Sequence, residues 1–318
     1  MSTNRVCQIL KIQKPVIQAP LAWITSPELV AAVSNAGGLG VLGVNGGLSK
    51  PLKTVSETKE AMRKSIRKIR ELTDKPFAVN TFPKAIDPFG FSSAIIELCK
   101  EENVKNIVYV GPTEQDNIRE LKNEGFTLIT RELNPTVRGA IKAEEAGADI
   151  IVATGCDEGG TMPSYSTGTT SIVSLLSEAV KVPILAAGGI VNEKMAKISA
   201  LAGAEGAFAG TRFILSNECP ASDITKKDIL STHPDDYLLY TILDGEARYR
   251  TTPHKIGRDG VEANKKGNFN PTTGSFYEGM LKGNLDAGVI SVSCLAPLIK
   301  SIDPCKKIVE ELARGYNC

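Results

Sequence analysis

Residues 182–213 read VPILAAGGIVNEKMAKISALAGAEGAFAGTRF, and the order of patterns in that stretch decides the fold. Two short runs, Ile184–Ala187 and Gly206–Ala209, are apolar at nearly every position. Strands buried on both faces of a parallel sheet read this way. Between them Asn192–Ala202 carries a helical pattern, and Gly203 follows it as a C-terminal signal. Each strand runs straight into glycine: Gly188-Gly189 after the first, Gly210-Thr211 after the second. Glycines expose backbone N–H groups, and Thr211 adds a hydroxyl beside a helix start. At the C-terminal face of a barrel that combination suits a phosphate. Ordinary strand-to-helix turns use glycine too, but two such turns on the seventh and eighth strands favour the phosphate.

The same alternation extends back through the chain. Further strands are expected at Pro15–Ala19, Gly40–Gly43, Phe77–Asn80, Asn106–Val110, Thr127–Thr130 and Ile150–Ala153. Helical patterns lie between them at Pro27–Ala36, Val55–Leu72, Phe91–Glu102, Glu114–Asn123, Pro135–Ala146 and Thr170–Val180. Ser26 before Pro27 is an N-cap with proline at the first helical position. Gly37, Gly125 and Gly147 close three helices as Gly203 does. Eight strands with seven intervening helices fit a TIM-like (β/α)8 barrel of the α/β class, with an open doubly wound sheet as the alternative. After Arg212 the regularity stops. The polar stretch from Ser216 reads as a helical or irregular insertion. The expected division is a barrel over 1–215, a small inserted cap over 216–272 and a barrel-closing segment over 273–318. Patterning resumes in the last part at Phe276–Leu281 and Pro304–Leu312.

Composition narrows the partners. With 37 basic and 36 acidic residues in 318, the net charge is +1, so no global field attracts nucleic acid or an anionic membrane. The 42% hydrophobic and 23% charged fractions are those of a globular protein, and so many residues can bury a core without disulfides. Seven cysteines, at 7, 99, 156, 219, 294, 305 and 318, form no C-x-x-C, and His233 and His254 have no metal-ligand spacing. Met1–Leu10 lacks the apolar core of a signal peptide, and no run of eighteen apolar residues occurs. A cytoplasmic, reduced protein without membrane or metal is the expectation.

Three other stretches invite chemistry. Gly38–Gly43 matches G-x-G-x-x-G, but a helix precedes it and a strand runs through it, the reverse of a dinucleotide fingerprint. It reads instead as a helix end packed tightly on a strand. The loop Ala153–Thr161 follows the sixth strand, where barrel enzymes keep reactive groups. Within it Cys156 has no histidine nearby in sequence to activate it, and Asp157 and Glu158 could act as acid or base, cap a helix or face solvent. Arg63, Lys64, Arg67, Lys68 and Arg70 share a predicted helix with Glu57, Glu60 and Glu71 and read chiefly as a solvated, self-paired face.

With these blocks in place the sequence resembles the FMN-dependent nitronate monooxygenase family, which includes the enoyl-acyl-carrier-protein reductase II enzymes. The resemblance runs through Pro15–Ile24, Ala32–Gly40, Phe77–Asn80, Gly155–Gly160, Thr169-Thr170, Ala186–Ile190 and Gly210–Phe213. It implies FMN at the C-terminal mouth of the barrel. Leu21 and Ala22 would lie along the isoalloxazine and Asn80 would contact it. Thr154, Gly159 and Gly160 would border it, while Gly188, Gly189, Ala209, Gly210 and Thr211 would take the phosphate end. Typical members read Glu-Ala-Gly-Gly-His in the sixth loop. This chain has Asp157-Glu158-Gly159-Gly160-Thr161, so Thr161 occupies the catalytic histidine's position. A threonine hydroxyl can orient or donate but is no general base unaided. The reductase pattern Ala-Gly-Gln-x-Ala-Gly is likewise replaced, by Val292–Pro297.

The resemblance implies an FMN-dependent oxidoreductase acting on a small molecule, first as a nitronate monooxygenase reoxidised by O2. An enoyl reductase or quinone reductase using NAD(P)H and an acyl thioester is the alternative. A flavin-binding barrel without catalysis is the third reading. A homodimer is compatible with each of them.

Overall fold

The computed structural model describes residues 4–43 and 45–316. Cys318 and residues 1–3 of the N-terminal stretch lie outside the described residues. The strands are β1 (Val16–Gln18), β2 (Gly40–Leu42), β3 (Phe77–Thr81), β4 (Asn106–Val110), β5 (Thr127–Arg131), β6 (Ile150–Thr154), β7 (Met162–Pro163), β8 (Ile184–Ala187), β9 (Gly206–Ala209), β10 (Leu238–Ile242) and β11 (Ala247–Thr251). Eight of them form one parallel sheet in the order β1-β9-β8-β6-β5-β4-β3-β2. Its two ends meet. Gln18 N–H donates to the Leu39 carbonyl at 3.0 Å, and Leu39 N–H to that of Val16 at 2.9 Å. The sheet is therefore a (β/α)8 barrel rather than an open sheet.

Period-two alternation divides each strand between two cores. Val41, Val108, Ile129, Ile150, Val152 and Leu185 fill the barrel interior. Their neighbours Leu42, Ile107, Tyr109, Leu128 and Ile151 face the surrounding helices. Those helices, with the rest, are α1 (Arg5–Leu10), α2 (Pro27–Asn35), α3 (Val55–Leu72), α4 (Phe91–Glu101), α5 (Gln115–Asn123), α6 (Val137–Glu145), α7 (Thr169–Ala179), α8 (Glu193–Leu201), α9 (Thr211–Ile214), α10 (Asp223–Ser231), α11 (Lys255–Lys265) and α12 (Cys305–Ala313). The seven expected helices between strands are α2 to α8. Ser26 Oγ caps α2 by accepting from Leu29 N–H at 3.1 Å. Gly37, Gly125, Gly147 and Gly203 all take the positive φ that a glycine helix end provides.

Two features differ from the sequence reading. Helix α1 was not anticipated, because six residues are too few to display a period. It closes the N-terminal end of the barrel: Val6, Cys7 and Leu10 join the interior core. Arg5 pairs with Glu205 and donates to the Lys181 carbonyl, next to the starts of β9 and β8. The second difference is the insertion, which is neither purely helical nor irregular. Strands β10 and β11 form an antiparallel hairpin, and β11 also pairs with β7 from the loop after β6. Its alternation is weak because few side chains are fully buried, chiefly Tyr240, Ile242 and Ala247. Helix α11 packs on this hairpin through Gly260, where an added Cβ would lie 2.5 Å from the Tyr240 ring.

Helix α12 falls within a residue of the expected Pro304–Leu312 and packs against α2 and α8. The Phe276–Leu281 pattern is realised as a short wide turn of helix at Tyr277–Lys282. No helix among the described residues is long and apolar enough to cross a membrane.

Candidate active site

A cavity of about 300 Å³ opens at the C-terminal ends of the barrel strands, opposite α1. It is lined by Leu21, Ala22, Asn80, Gly159, Gly160, Thr161, Gly188, Gly189, Ala209, Gly210 and Thr211. These are all but one of the positions that the family resemblance assigns to the site. The exception is Thr154, which is only 1% exposed, lies outside the lining and leaves its Oγ1 without a hydrogen-bond partner.

Each wall is fixed by local bonds. After β1, Thr25 Oγ1 accepts from Leu21 N–H at 2.8 Å and donates to the Leu21 carbonyl at 2.7 Å, holding the turn that presents Leu21 and Ala22. At the end of β3, the Asn80 amide donates to the carbonyls of Val108 and Thr81, at 3.0 and 3.2 Å. Beyond β8, Gly188 and Gly189 have φ of +106° and +73°, in the region that favours glycine. A Cβ on Gly188 would meet Thr169 Oγ1 at 2.5 Å, so the close approach also excludes a side chain. Beyond β9, the Thr211 hydroxyl accepts from Ser293 N–H at 3.1 Å. Among the described residues, no backbone carbonyl takes the N–H groups of Gly188, Gly189, Gly210 or Thr211.

The loop after β6 separates two carboxylates that sequence could not tell apart. Asp157 Oδ2 accepts from Thr169 N–H at 2.6 Å, at the start of α7, so this group is a helix cap. Glu158 instead lines the cavity. Its carboxylate accepts from Arg131 Nη2 at 2.7 Å, with the two side chains only 12% and 13% exposed. Burial pushes the Glu158 carboxyl up to about 7, against the pull of Arg131 and of Arg250. Burial, reinforced by Asp157, also pushes the Cys156 thiol up, which agrees with a bystander role. Burial pushes the Tyr249 phenol up, against an opposing pull from Thr161.

Sequence reasoning missed Arg131 at the end of β5, whose only signal was a charge closing an apolar strand. It also missed the late-chain wall of Phe276, Met280, Ser291 and Ser293. That wall clamps the sixth loop. Ser291 Oγ donates to the Gly160 carbonyl at 2.7 Å and Ser293 Oγ to that of Asp157 at 2.6 Å. From the inserted hairpin, Arg250 donates to the carbonyls of Glu158 and Cys156, at 2.8 and 3.0 Å.

The remaining motifs lie elsewhere. Gly38 and Gly40 serve close packing: an added Cβ would meet the Val16 and Val30 carbonyl oxygens at 2.6 and 2.2 Å. In the basic stretch, Arg63, Arg67 and Arg70 converge on Glu102 of the neighbouring helix end. Neither histidine lines the cavity, His254 being bonded to Asp228 at 2.7 Å and His233 exposed. Among the described residues, no cluster of three or more His, Cys, Asp or Glu could hold a metal ion.

A family model described as nitronate monooxygenase matches residues 3–315. A probable nitronate monooxygenase of Staphylococcus saprophyticus is 30% identical over 285 residues, covering 77% of this chain and 77% of the relative. Among solved structures, FabK of Thermotoga maritima, an enoyl-ACP reductase II, superposes with a TM-score of 0.83 and 29% identity, over 100% of this chain and 97% of its own. A nitroalkane oxidase of Streptomyces ansochromogenes superposes with a TM-score of 0.77 over 98% of each chain. At 21% identity, that match speaks for the fold alone.

Proposed function

The chain belongs to the nitronate monooxygenase family, and from that premise we propose that it is an FMN-dependent oxidoreductase that takes electrons from a small-molecule nitronate and passes them to O2. The observation that carries the reading is the cradle of four unused backbone N–H groups at Gly188, Gly189, Gly210 and Thr211. Such a set fits a phosphate dianion without any cation, since N–H donors converge on it where no side chain intervenes. The other walls fit a flat ring: Leu21, Ala22, Phe276 and Met280 are apolar, with the Asn80 amide the polar group at the end of β3.

When bound, FMN supplies the two-electron chemistry that no side chain here can perform. This chain's residues bind and orient. The cradle holds the phosphate end, Leu21 and Ala22 support the ring, and Gly159 and Gly160 let the sixth loop approach it. Thr161, in the cavity lining, orients substrate through its hydroxyl rather than exchanging protons. We assign residues 216–272 to a cap whose Arg250 steadies the sixth loop over the cavity.

A second reading is an enoyl reductase that takes NAD(P)H as reductant and an acyl thioester as acceptor. The whole-length superposition on FabK favours it. Anaerobic mixing separates the two. The purified protein should be yellow, and a preformed nitronate should bleach it while NADH and NADPH do not. Bleaching by a nicotinamide alone would replace the first reading with the second. A protein carrying no flavin would overturn both.

A further inference from the structure

The cavity is lined by two ionisable side chains among the described residues, Arg131 and Glu158. Arginine stays protonated in proteins, and the lining hydroxyls and amide do not ionise near neutrality. Both histidines are elsewhere. Any proton that leaves or joins a substrate in this space must therefore pass through Glu158 or through water. The groups facing Glu158 are Arg131 from β5 and Arg250 from β11, while Asp157 in its own loop is turned to Thr169.

We propose that Glu158 is the general base of this site, taking the α-proton of a neutral nitroalkane while Arg131 receives the nitronate that results. The inference rests on the nitronate-oxidising reading above and extends its substrate class to the neutral carbon acid. The step balances without a co-reactant. The C–H bond breaks, its electron pair moves into a C=N bond as negative charge passes to the nitro oxygens, and an O–H bond forms on Glu158. Nothing is oxidised.

The geometry makes the exchange of charge favourable. Before the step Arg131 is paired with the Glu158 carboxylate; afterwards Glu158 is neutral and the guanidinium is released to the new anion. The buried site stays neutral throughout, so no uncompensated charge is created. Arg131 spends one N–H on Glu158, and no other protein acceptor among the described residues takes the rest. A planar guanidinium matches the two oxygens of a nitronate as it matches a carboxylate. A carboxyl titrating at about 7 is also poised to work as a base at neutral pH and to return its proton to solvent.

The test follows loss of deuterium from nitroethane labelled at the α-carbon, by NMR, in anaerobic water with the purified protein. Wash-out should exceed that in buffer and rise with pH through about 7. Glu158→Gln, checked for an unchanged circular-dichroism and flavin spectrum, should slow it by about 100-fold, a typical loss for a positioned base. Glu158→Asp should restore part of the rate. No acceleration by the wild type, or an E158Q variant that keeps the rate and its pH inflection, would overturn the assignment. Because exchange needs no flavin reduction, it still reads the base if preformed ethyl nitronate fails to bleach the flavin. That separate failure would count against the nitronate-oxidising reading alone.

Discussion

Asp303→Asn probes the ion pair that ties the Thr211 turn to the C-terminal segment. Arg212, next to Thr211 in α9, pairs with Asp303 just before α12, with side chains 4% and 10% exposed. The other acceptors within reach of Arg212, the Leu215 and Ser301 carbonyls, stand at 3.4 and 3.5 Å and are weak. Asp303 also accepts from Ser301 Oγ at 2.7 Å and Lys307 Nζ at 2.6 Å. Burial pushes the Asp303 carboxyl up, but hydrogen bonds from Lys307, Ser301 and Arg212 outweigh it and hold it at about 2. Removing the charge strands a buried guanidinium, which costs about 3–5 kcal/mol in comparable pairs; asparagine keeps an acceptor, so about 3 is expected. The pH dependence has a definite sign. A carboxyl depressed in the folded state stabilises it above its unfolded value, and that stability is lost as pH falls. The wild type should lose about 2 kcal/mol between about pH 4 and pH 2 through this group, and the variant should not. Urea unfolding can be followed by fluorescence of the single tryptophan, Trp23, and by circular dichroism. A variant within about 1 kcal/mol of the wild type at pH 7, with the same acid slope, would refute the argument.

Three further outcomes are expected. Gly188→Ala forces a side chain into φ +106° and against Thr169 Oγ1. Strain of about 1–3 kcal/mol should fall on the cradle and weaken FMN binding at least tenfold, as read by fluorescence titration of the apoprotein. Glu158 should make folding less stable as pH rises from about 4 to 7, by about 3 kcal/mol, because its folded carboxyl is raised and the unfolded chain ionises first. E158Q should flatten that decline in urea titrations. Leu10→Ala, in the α1 plug at 1% exposure, should cost about 2–5 kcal/mol in urea without changing the flavin spectrum.

The parts legible from sequence share one property: their signal is local. A strand such as Ile150–Thr154 declares itself by five apolar positions, and α8 by its period between Asn192 and Gly203. The glycine turns at the cavity wall were legible for the same reason, since Gly188-Gly189 and Gly210-Thr211 each abut a recognisable strand. Where the signal was non-local, reading failed. Arg131 and Glu158 are 27 positions apart and meet only because β5 and β6 are adjacent in the barrel. Ser291 and Ser293 reach Gly160 and Asp157 across 131 and 136 positions, which no period announces. The hairpin of β10 and β11 escaped notice because its partner β7 is supplied by a distant loop.

That division has a consequence for how the site works. The cradle belongs to the barrel itself: Gly188 is locked against Thr169, and Thr211 sits on the helix anchored by Arg212. The sixth loop, by contrast, owes its shape to later chain. Its carbonyls at Cys156, Asp157, Glu158 and Gly160 are all taken by groups from residues 250–293. Ser293 joins the two, its N–H on the Thr211 hydroxyl and its own hydroxyl on the Asp157 carbonyl, so the sixth loop and the N–H cradle are coupled through one residue of the later chain. Loosening the Arg250 contacts should disturb Glu158 first, because Arg250 bonds the sixth loop directly. Loosening the Asp303 contact should disturb the Thr211 turn first, because Arg212 follows Thr211 directly. A fold arranged in this way can vary its sixth loop without rebuilding the glycine turns that end β8 and β9.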